Sequence, residues 1–346
     1  RQLGIHHVCS YALYERGPEG LSNDFLDLRI DTNHGGIHSL VHKPSGIAVI
    51  ADAKSILEYV IERPRGMSAW EIEHHGVGDS PRVLNIRRLC DGPYVSSIAV
   101  DVEVSASRFT IEYRLEATDP RLYIDISGIW FERGSHDVGT PCLRLALPLG
   151  IENGVPTYEI PFGAVARSME YGEEVPALRW ADVLGEAQGR TAGLLMINDC
   201  KHGHSYESGT LRLTLLRSSF EPDPLPEVDR HTMRIALEPH EGPVDTVNAS
   251  ASATTVTEPL AIIQTDSHEG PLPSEASFVH IDGPVVVSGV KMAESGDDLI
   301  VRLYNPSETI ATGTLSAGEA AGGPFTSATQ VDHLKRPAEQ ATLSVS

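Results

Sequence analysis

The chain has 346 residues, of which 48 are acidic and 27 are basic, and its formal net charge at pH 7 is −21. Nucleic-acid binding requires a concentrated basic face, and the sequence has no cluster of lysine and arginine that supplies one, so we expect no nucleic-acid partner. Membrane insertion is not expected either, because no apolar run approaches the roughly 20 residues of a membrane-spanning helix and the first residues lack a signal-peptide pattern.

The predicted elements begin with a β-hairpin. Apolar residues recur over 25–30 and again over 37–41, and the segment 31–36 between them is rich in Asp, Asn and Gly. The same pattern of strand, turn and strand continues along the chain, and no segment longer than one turn shows convincing helical spacing. Further predicted strands are Val95 to Val104, Phe109 to Ala117, Leu122 to Phe131, Leu143 to Leu149, Thr191 to Ile197, Leu211 to Arg217 and Thr232 to Leu237.

A small and polar stretch, Asn248 to Thr257, interrupts this series and is interpreted as a linker. Because long antiparallel strands without helices must bury their apolar faces on one another, the chain is predicted to be all-β. We expect a large antiparallel supersandwich over 1–247, a linker and crossing strand over 248–275 and a smaller β-sandwich over 276–346. The strands predicted after the linker are Leu260 to Gln264, Val285 to Met292, Leu299 to Tyr304 and Thr309 to Leu315.

The four cysteines, Cys9, Cys90, Cys142 and Cys200, are far apart in the sequence and form no C-x-x-C pair. Neither a zinc knuckle nor a dense disulfide framework is indicated, so they are interpreted as reduced thiols. A sequon at Asn248-Ala249-Ser250 does not decide the compartment, because such triplets are frequent by chance. The expected location is the cytoplasm.

The densest polar segment, 198–204, follows the apolar strand 194–197 and reads Asn-Asp-Cys-Lys-His-Gly-His. Asp199, His202 and His204 are of residue types that bind zinc, and alternate residues of an extended chain share a face. An exposed turn whose side chains bond its own backbone is a stronger alternative than zinc. Contact with a saccharide is favoured, because Asn198, Asp199, Lys201, His202 and His204 offer donors and acceptors for hydroxyl groups.

Trp70 lies in the segment Ala69-Trp70-Glu71-Ile72-Glu73, which precedes His74 and His75. An exposed Trp would stack on the apolar face of a sugar. Alternation, however, would place Trp70, Ile72 and His74 on one face, which slightly favours a buried Trp. Both interpretations stay open. His231 and His240 are isolated, and a hydrogen-bonded structural role is the safer interpretation for each.

No nucleophile elbow, phosphate-binding glycine loop or H-E-x-x-H motif occurs in the sequence. Many carboxylates are present, but spacing along β-strands cannot show a catalytic pair. We therefore assign no catalytic residue and no metal ligand to this chain.

Four segments resemble a known family. They are similar, in the same order, to segments in the C-terminal half of glycoside hydrolase family 38 α-mannosidases. Further matches are the hairpin residues Gly36 to Leu40, the pair Arg230-His231, the segment Ala236 to His240 and the strand Leu299 to Tyr304. The segments are Tyr158-Glu159-Ile160-Pro161-Phe162-Gly163, Pro176-Ala177-Leu178-Arg179-Trp180, Leu195-Met196-Ile197-Asn198-Asp199-Cys200-Lys201-His202-Gly203 and Leu211-Arg212-Leu213-Thr214-Leu215-Leu216-Arg217-Ser218.

The resemblance implies a β-sandwich related in shape to galactose mutarotases, packed against an N-terminal barrel. It further implies a retaining α-mannosidase in which that barrel supplies an aspartate nucleophile and a zinc site of His and Asp side chains. None of the barrel is present in this sequence, so no cofactor is expected on this chain. The residues that the resemblance implies for the cleft rim are Trp70, Asn198, Asp199, Lys201, Arg230 and His231. This sequence departs from the family at His202 and His204, where relatives often have tyrosines, and these two residues are further candidates for the rim.

The expected function is therefore that of a non-catalytic scaffold and cleft rim, which acts on α-mannosides or mannose-containing glycans when joined to the catalytic barrel of the same enzyme. The isolated chain is predicted to be inactive. An alternative is a free-standing carbohydrate-binding protein without hydrolase activity. An epimerase is a third possibility, but it would need a paired acid and base that we do not identify.

Overall fold

The computed structural model divides the chain into two compact units, Arg1–Pro259 and Leu260–Ser346. The residues that it describes are 19–51, 55–63, 65–72, 75–167, 174–270, 273–294, 296–307 and 309–337. The structure divides the chain after residue 259, whereas the sequence predicted boundaries after residue 247 and before residue 276. Those two boundaries stay predictions.

The first unit contains nineteen strands and one helix among its described residues. The strands are β1 (Gly20–Ser22), β2 (Leu26–Ile30), β3 (Ile37–His42), β4 (Ile47–Ala51), β5 (Leu57–Glu62), β6 (His75–Val77), β7 (Arg82–Asp91), β8 (Val95–Val104), β9 (Ser107–Glu116), β10 (Leu122–Ile129), β11 (Thr140–Pro148), β12 (Glu152–Ile160), β13 (Gly163–Ala166), β14 (Val175–Pro176), β15 (Trp180–Ala187), β16 (Arg190–Asn198), β17 (Gly203–Glu207), β18 (Thr210–Arg217) and β19 (Arg230–Glu241), and the helix is α1 (Thr246–Thr257).

These strands form a large antiparallel sandwich. A nine-stranded sheet has the order β13-β12-β15-β16-β19-β10-β9-β8-β7, a six-stranded sheet has the order β14-β17-β18-β11-β5-β6, and β1 to β4 form a four-stranded sheet. A bridge between Ile50 and Leu149 joins the two smaller sheets. One apolar core draws its buried side chains from all three sheets, which confirms the predicted all-β fold class.

Strand β16 explains how the nine-stranded sheet is buried on both faces near its centre. Leu194 and Met196 belong to the core between the sheets, whereas Leu195 and Ile197 belong to a second cluster on the outer face. Because side chains alternate along a strand, an unbroken apolar run indicates that both faces are covered. Helix α1 provides the outer cover.

Helix α1 shows that the prediction of a linker beginning at residue 248 is wrong for its first ten residues. Asp245 caps the helix by accepting hydrogen bonds from the backbone N–H groups of residues 247 and 248. Ala249 and Ala253 then pack against Tyr123 and Trp180 on the outer face of the sheet. The helix escaped prediction because its buried face consists of Ala, Ser and Val, which give almost no apolar periodicity.

Helix α1 also contains the sequon. Asn248 donates to the Asp245 side chain, and Ser250 is 2% exposed.

The described helices are too short or too polar to cross a membrane.

Among its described residues, the second unit contains two antiparallel ribbons. In one, β20 (Val279–Asp282) pairs with β23 (Thr314–Ala317), and in the other, β21 (Val286–Met292) pairs with β22 (Leu299–Tyr304). A 3₁₀ helix occupies Glu319–Ala321. The strand predicted over 260–264 is wrong, because these residues have no regular secondary structure and are exposed. Three of the four strands predicted in this part of the chain therefore occur, the last of them beginning later than expected.

A buried ion pair stabilises one end of the sandwich, where β5 and β18 finish. The Glu62 carboxylate is fully buried and accepts hydrogen bonds from Arg217 Nε at 2.9 Å and Nη2 at 2.5 Å. The same guanidinium donates to the Glu71 carbonyl oxygen at 2.6 Å, so Arg217 also fixes the loop after β5. Both of these bonds end on Glu62 Oε2, and because they join ionised groups they are stronger than hydrogen bonds between neutral groups.

Removing this guanidinium should be strongly destabilising. Arg217→Met leaves Glu62 charged and unpaired in the interior, so we expect the free energy of unfolding to fall by about 3–5 kcal/mol, as measured by urea denaturation. The control Arg82→Met, at a largely exposed pair with Glu103, should cost much less, because solvent screens an exposed ion pair. Equal losses in the two variants would contradict the role given to Arg217.

Candidate functional site

The structure separates the predicted site residues into two groups. Residues 198–204 run from the last residue of β16 to the second residue of β17. Trp70, Arg230 and His231 lie at the end of the sandwich where β19 begins. Asn198 is paired with Ile235 of β19. Arg230 lies five residues before Ile235 on the same strand, which is a distance of about 16 Å. We call these groups the edge loop (198–204) and the end group.

The edge loop is held from inside by Asn198, which is 1% exposed. Its Oδ1 accepts from the Lys201 backbone N–H at 2.6 Å, and its backbone N–H donates to the Arg179 carbonyl oxygen at 2.8 Å. Arg179 in turn pairs with the buried carboxylate of Glu159 at 2.5 Å and donates to Thr254 of α1 at 2.9 Å. The loop is therefore tied to both the sheet and the helix that covers it.

Asp199 connects the same loop to β19. Its Oδ1 accepts from the Arg234 backbone N–H at 3.2 Å, and the Arg234 side chain donates to Asp125 Oδ1 at 2.6 Å. The hydrogen bond to Asp125, which outweighs the opposing effect of burial, raises the pKa of Arg234. Burial and the neighbouring Asp199 raise the pKa of Cys200 to about 11, so this thiol is protonated at neutral pH.

The two histidines of the loop differ in their surroundings. His202 is exposed, and its Nδ1 lies 3.1 Å from the Ala177 carbonyl oxygen. His204 is fully buried, stands opposite the core residue Leu213 and has no hydrogen-bond partner at either ring nitrogen. A surface ligand cannot reach His204, and the same is true of Asn198. Lys201 is half-buried, and Asp199 is exposed.

This arrangement favours the turn interpretation of residues 198–204 over the zinc interpretation. Side chains of the loop bond to backbone groups, as expected for a turn, and His204 points into the core while Asp199 bonds to β19. Within the described ranges, no group of three or more His, Cys, Asp and Glu side chains is placed to hold a metal ion. The exposed side chains of Asp199 and His202, with Lys201, remain accessible to hydroxyl groups.

Trp70 is 67% exposed in a turn, so the interpretation as a core residue is wrong. Alternation failed here because residues 68–70 form a turn and not a strand, and the period of two applies only to strands. His74 lies outside the described residues. The turn is anchored by Ser68, which is fully buried and accepts from the backbone N–H groups of Phe220 and Glu221 at 2.9 Å.

The histidines interpreted as structural are hydrogen-bonded. His231 Nε2 lies 2.7 Å from the Glu227 carbonyl oxygen. His240 Nε2 lies 2.9 Å from Asp182 Oδ1, and its Nδ1 lies 2.8 Å from the Gly242 carbonyl oxygen. Burial acts to lower the pKa of His240, but the hydrogen bond and charge of Asp182 outweigh it, so the pKa is raised. Arg230 next to His231 is exposed.

Burial should make His204 visible in the pH dependence of stability. Desolvation lowers its pKa from 6.5 to about 3, so below pH 6.5 the unfolded chain takes up a proton that the folded protein does not. The free energy of unfolding should therefore fall by about 2 kcal/mol between pH 6.5 and pH 5 on account of this residue.

The variant His204→Leu should lose that component of the slope, as measured by urea denaturation at several pH values between 5 and 7. A wild-type slope in His204→Leu would show that His204 is not buried in its neutral form.

By architecture, the first unit belongs to the large antiparallel β-sandwiches. Two family models match the chain: that of the glycosyl hydrolases family 38 C-terminal domain over residues 21–225, and that of the glycosyl hydrolases family 38 C-terminal beta sandwich domain over residues 284–346. The chain belongs to glycosyl hydrolase family 38 and carries C-terminal domains of that family.

Relatives among known proteins agree with this assignment. Alpha-mannosidase 2C1 of Homo sapiens is 28% identical over 305 residues, which cover 83% of this chain and 28% of the human protein. The alpha-mannosidase of Saccharomyces cerevisiae is 28% identical over 247 residues, which cover 64% of this chain and 22% of the yeast protein. The chain thus matches less than a third of the length of these relatives.

Solved structures support the fold. An alpha-mannosidase from Enterococcus faecalis superimposes with a TM-score of 0.75 at 14% identity, covering 94% of this chain and 40% of that one. Another solved structure, of a glycosyl hydrolase family 38 protein from Enterococcus faecalis, gives a TM-score of 0.74 at 15% identity, covering 94% of this chain and 42% of that one.

Proposed function

We propose that this chain is the non-catalytic scaffold and cleft-rim portion of a retaining α-mannosidase. The observation that carries the proposal is that two C-terminal domain models of family 38 match in order over 21–225 and 284–346. Curated α-mannosidases more than three times longer than the matched segment align to it at about 28% identity. The substrates would be α-mannosides or mannose-containing glycans, and the location would be the cytoplasm. The three described cysteines are free thiols, which is compatible with that location.

In this proposal the nucleophile and the zinc ion belong to an N-terminal catalytic barrel, which is a separate part of the enzyme from this chain. In this proposal the chain itself binds no metal. Zinc, when bound in the barrel, would supply Lewis-acid chemistry at the substrate. The contribution of this chain would be to position the barrel and to line the edge of the cleft.

The edge loop is the part of this chain best suited to contact the glycan. Asp199 and His202 are exposed, and Lys201 is half-buried with its backbone N–H fixed by Asn198. A loop fixed from inside presents its outward donors and acceptors without a further ordering cost on binding. Arg230 and His231 would extend the rim at the end group, where Trp70 also lies.

The first test compares the chain alone with the longer polypeptide that contains it. The longer polypeptide should hydrolyse 4-nitrophenyl α-mannoside with retention of configuration and lose activity on zinc removal, whereas the chain alone should show no turnover. Calorimetric titration of the chain with mannose and mannobiose should give negligible heat. Zinc-dependent turnover by the chain alone would sink the proposal, and tight sugar binding by an inactive protein would favour the free-standing carbohydrate-binding alternative.

The second test addresses the rim. In the longer polypeptide, Lys201→Ala should raise KM for a mannose-containing oligosaccharide by about tenfold, because a hydrogen bond from a charged donor contributes about 1.5–3 kcal/mol. The free energy of unfolding should stay unchanged. Lys291→Ala, at an exposed residue of the second unit, is the matched control and should leave KM unaltered. An unchanged KM in Lys201→Ala would remove Lys201 from the rim.

A further inference from the structure

The outer face of the six-stranded sheet is polar where it meets the edge loop. Leu143 and Leu145 of β11, like Leu211 and Leu213 of β18, belong to the core, so the residues between them point to the opposite face. A set of polar side chains stands on that face, on four neighbouring strands and on the residue that precedes β14. We call this set the polar face: Glu58, Arg144, Glu174, Ser205, Arg212 and Thr214.

The strand register brings these side chains together. Ser205 is paired with Arg212. Arg144 is paired with Thr214 on one side and with Glu58 on the other, and paired residues of antiparallel strands share a face. Arg144 donates to Glu58 Oε2 from Nε at 3.0 Å and from Nη2 at 2.6 Å, and Arg212 Nε donates to the same oxygen at 3.1 Å. Two guanidinium groups and a carboxylate are thus held in fixed positions.

Glu174 lies over the same face and joins it to the edge loop. Gly203 makes room for its side chain, because a Cβ atom at position 203 would overlap Glu174 Oε1. Burial, and after it the charges of Glu174 and Glu62, raise the pKa of the Cys142 thiol to about 12, so the Glu174 carboxylate lies near enough to act on Cys142. Gly203 is the first residue of β17 and also belongs to the edge loop, so the polar face and the edge loop are continuous.

Several groups of the polar face have no hydrogen-bond partner among the described residues. They are the Glu174 carboxylate, the Nη groups of Arg212 and the hydroxyl groups of Ser205 and Thr214. Ser205 is only 4% exposed, and a buried hydroxyl group without a partner costs free energy. The Glu58 side chain is 34% exposed and Glu174 is half-buried, so the face has a buried floor and an open margin.

The composition of the polar face indicates an uncharged ligand with many hydroxyl groups. Arg144 and Arg212 balance Glu58 and Glu174 in charge, so a phosphate group or a metal ion would meet a like charge there. A sugar hydroxyl both donates and accepts, and it can therefore bond to a carboxylate and to a guanidinium group at once. A small number of fixed polar groups is what orients a ligand in a binding site.

We infer that the polar face is a saccharide subsite, which binds mannose units of the glycan beyond those at the edge loop. This inference rests on the proposed function and deepens it, because it assigns to this chain the recognition of a chain of several mannose units. The ion pairs that Arg144 and Arg212 form with Glu58 hold the subsite in place before binding, so little further ordering is needed.

The first experiment compares a long and a short substrate in the longer polypeptide. Glu174→Ala should raise KM for mannopentaose by about tenfold, because a charged hydrogen-bond acceptor is lost. KM for 4-nitrophenyl α-mannoside should not change, because a single mannoside does not reach the polar face, and kcat should stay the same for both. Glu186→Ala, at an exposed glutamate of β15, is the matched control and should change neither KM. A KM that rises equally for the two substrates, or for neither, would overturn the inference.

Gly203→Ala tests the same carboxylate by another route. Gly203 has no left-handed φ, and the added methyl group meets the flexible end of Glu174, so the substitution should displace the carboxylate at little cost to the fold. KM for mannopentaose should rise, and the double variant with Glu174→Ala should be no worse than Glu174→Ala alone. A further rise in the double variant would contradict the role given to Glu174.

Hydrogen exchange in the longer polypeptide tests binding without turnover. A thio-linked mannopentaose, which resists hydrolysis, should protect 174–178 and 203–214, whereas mannose at the same concentration should not. Glu174→Ala should weaken that protection. An active wild-type polypeptide without the protection refutes the subsite and leaves the proposed function standing. Protection in a polypeptide that hydrolyses no mannoside refutes the proposed function and leaves the subsite standing.

Discussion

The burial of the nine-stranded sheet on both faces is the constraint on which the rest of the first unit depends. The inner face shares one apolar core with the four-stranded and six-stranded sheets, and the outer face is covered near β15 and β16 by helix α1. This double cover fixes where β16 ends, and Asn198 stands at that end. The position of the edge loop is therefore a consequence of how the centre of the sheet is covered.

Buried ion pairs hold the edge loop and the Trp70 segment in their conformations. Glu159 and Glu62 are almost fully buried, and each is paired with an arginine that also bonds to a second structural element: Arg179 reaches α1, and Arg217 reaches the Trp70 segment. A buried carboxylate is costly unless it is paired and hydrogen-bonded, so these contacts are strongly specified. Each loop thus takes its conformation from an ion pair beneath it.

The sequence predicted nine of the nineteen described strands of the first unit, because alternation is a local signal along a half-buried strand. The other ten, among them the short strands β1, β6 and β14, were not predicted. It missed α1, whose buried residues Ala249, Ser250 and Ala253 are too small to produce a visible apolar stripe. It predicted that residues 198–204 form a polar loop, but it did not distinguish the exposed His202 from the buried His204. That difference arises from the pairing of His204 with Leu213, which no local pattern reveals.

The same limit applies to the end group. Sequence analysis singled out Trp70 but left its exposure open. The contact that places the Trp70 segment joins Arg217 to residues 146 and 155 positions earlier in the chain. Pairings of this span depend on the complete strand order of the six-stranded sheet, so a single sequence does not predict them.

Arg217 combines two roles whose requirements differ, and this has a consequence for how the protein tolerates change. Replacing both Arg217 and Glu62 by apolar residues of similar volume is a route by which sandwiches lose buried charge without losing stability. Here that route would leave the Glu71 carbonyl oxygen without its donor and release the segment that carries Trp70. A double substitution that leaves the stability of the fold unchanged would therefore still change the surface segment that carries Trp70. Fewer residue pairs are acceptable at positions 62 and 217 than packing alone would allow.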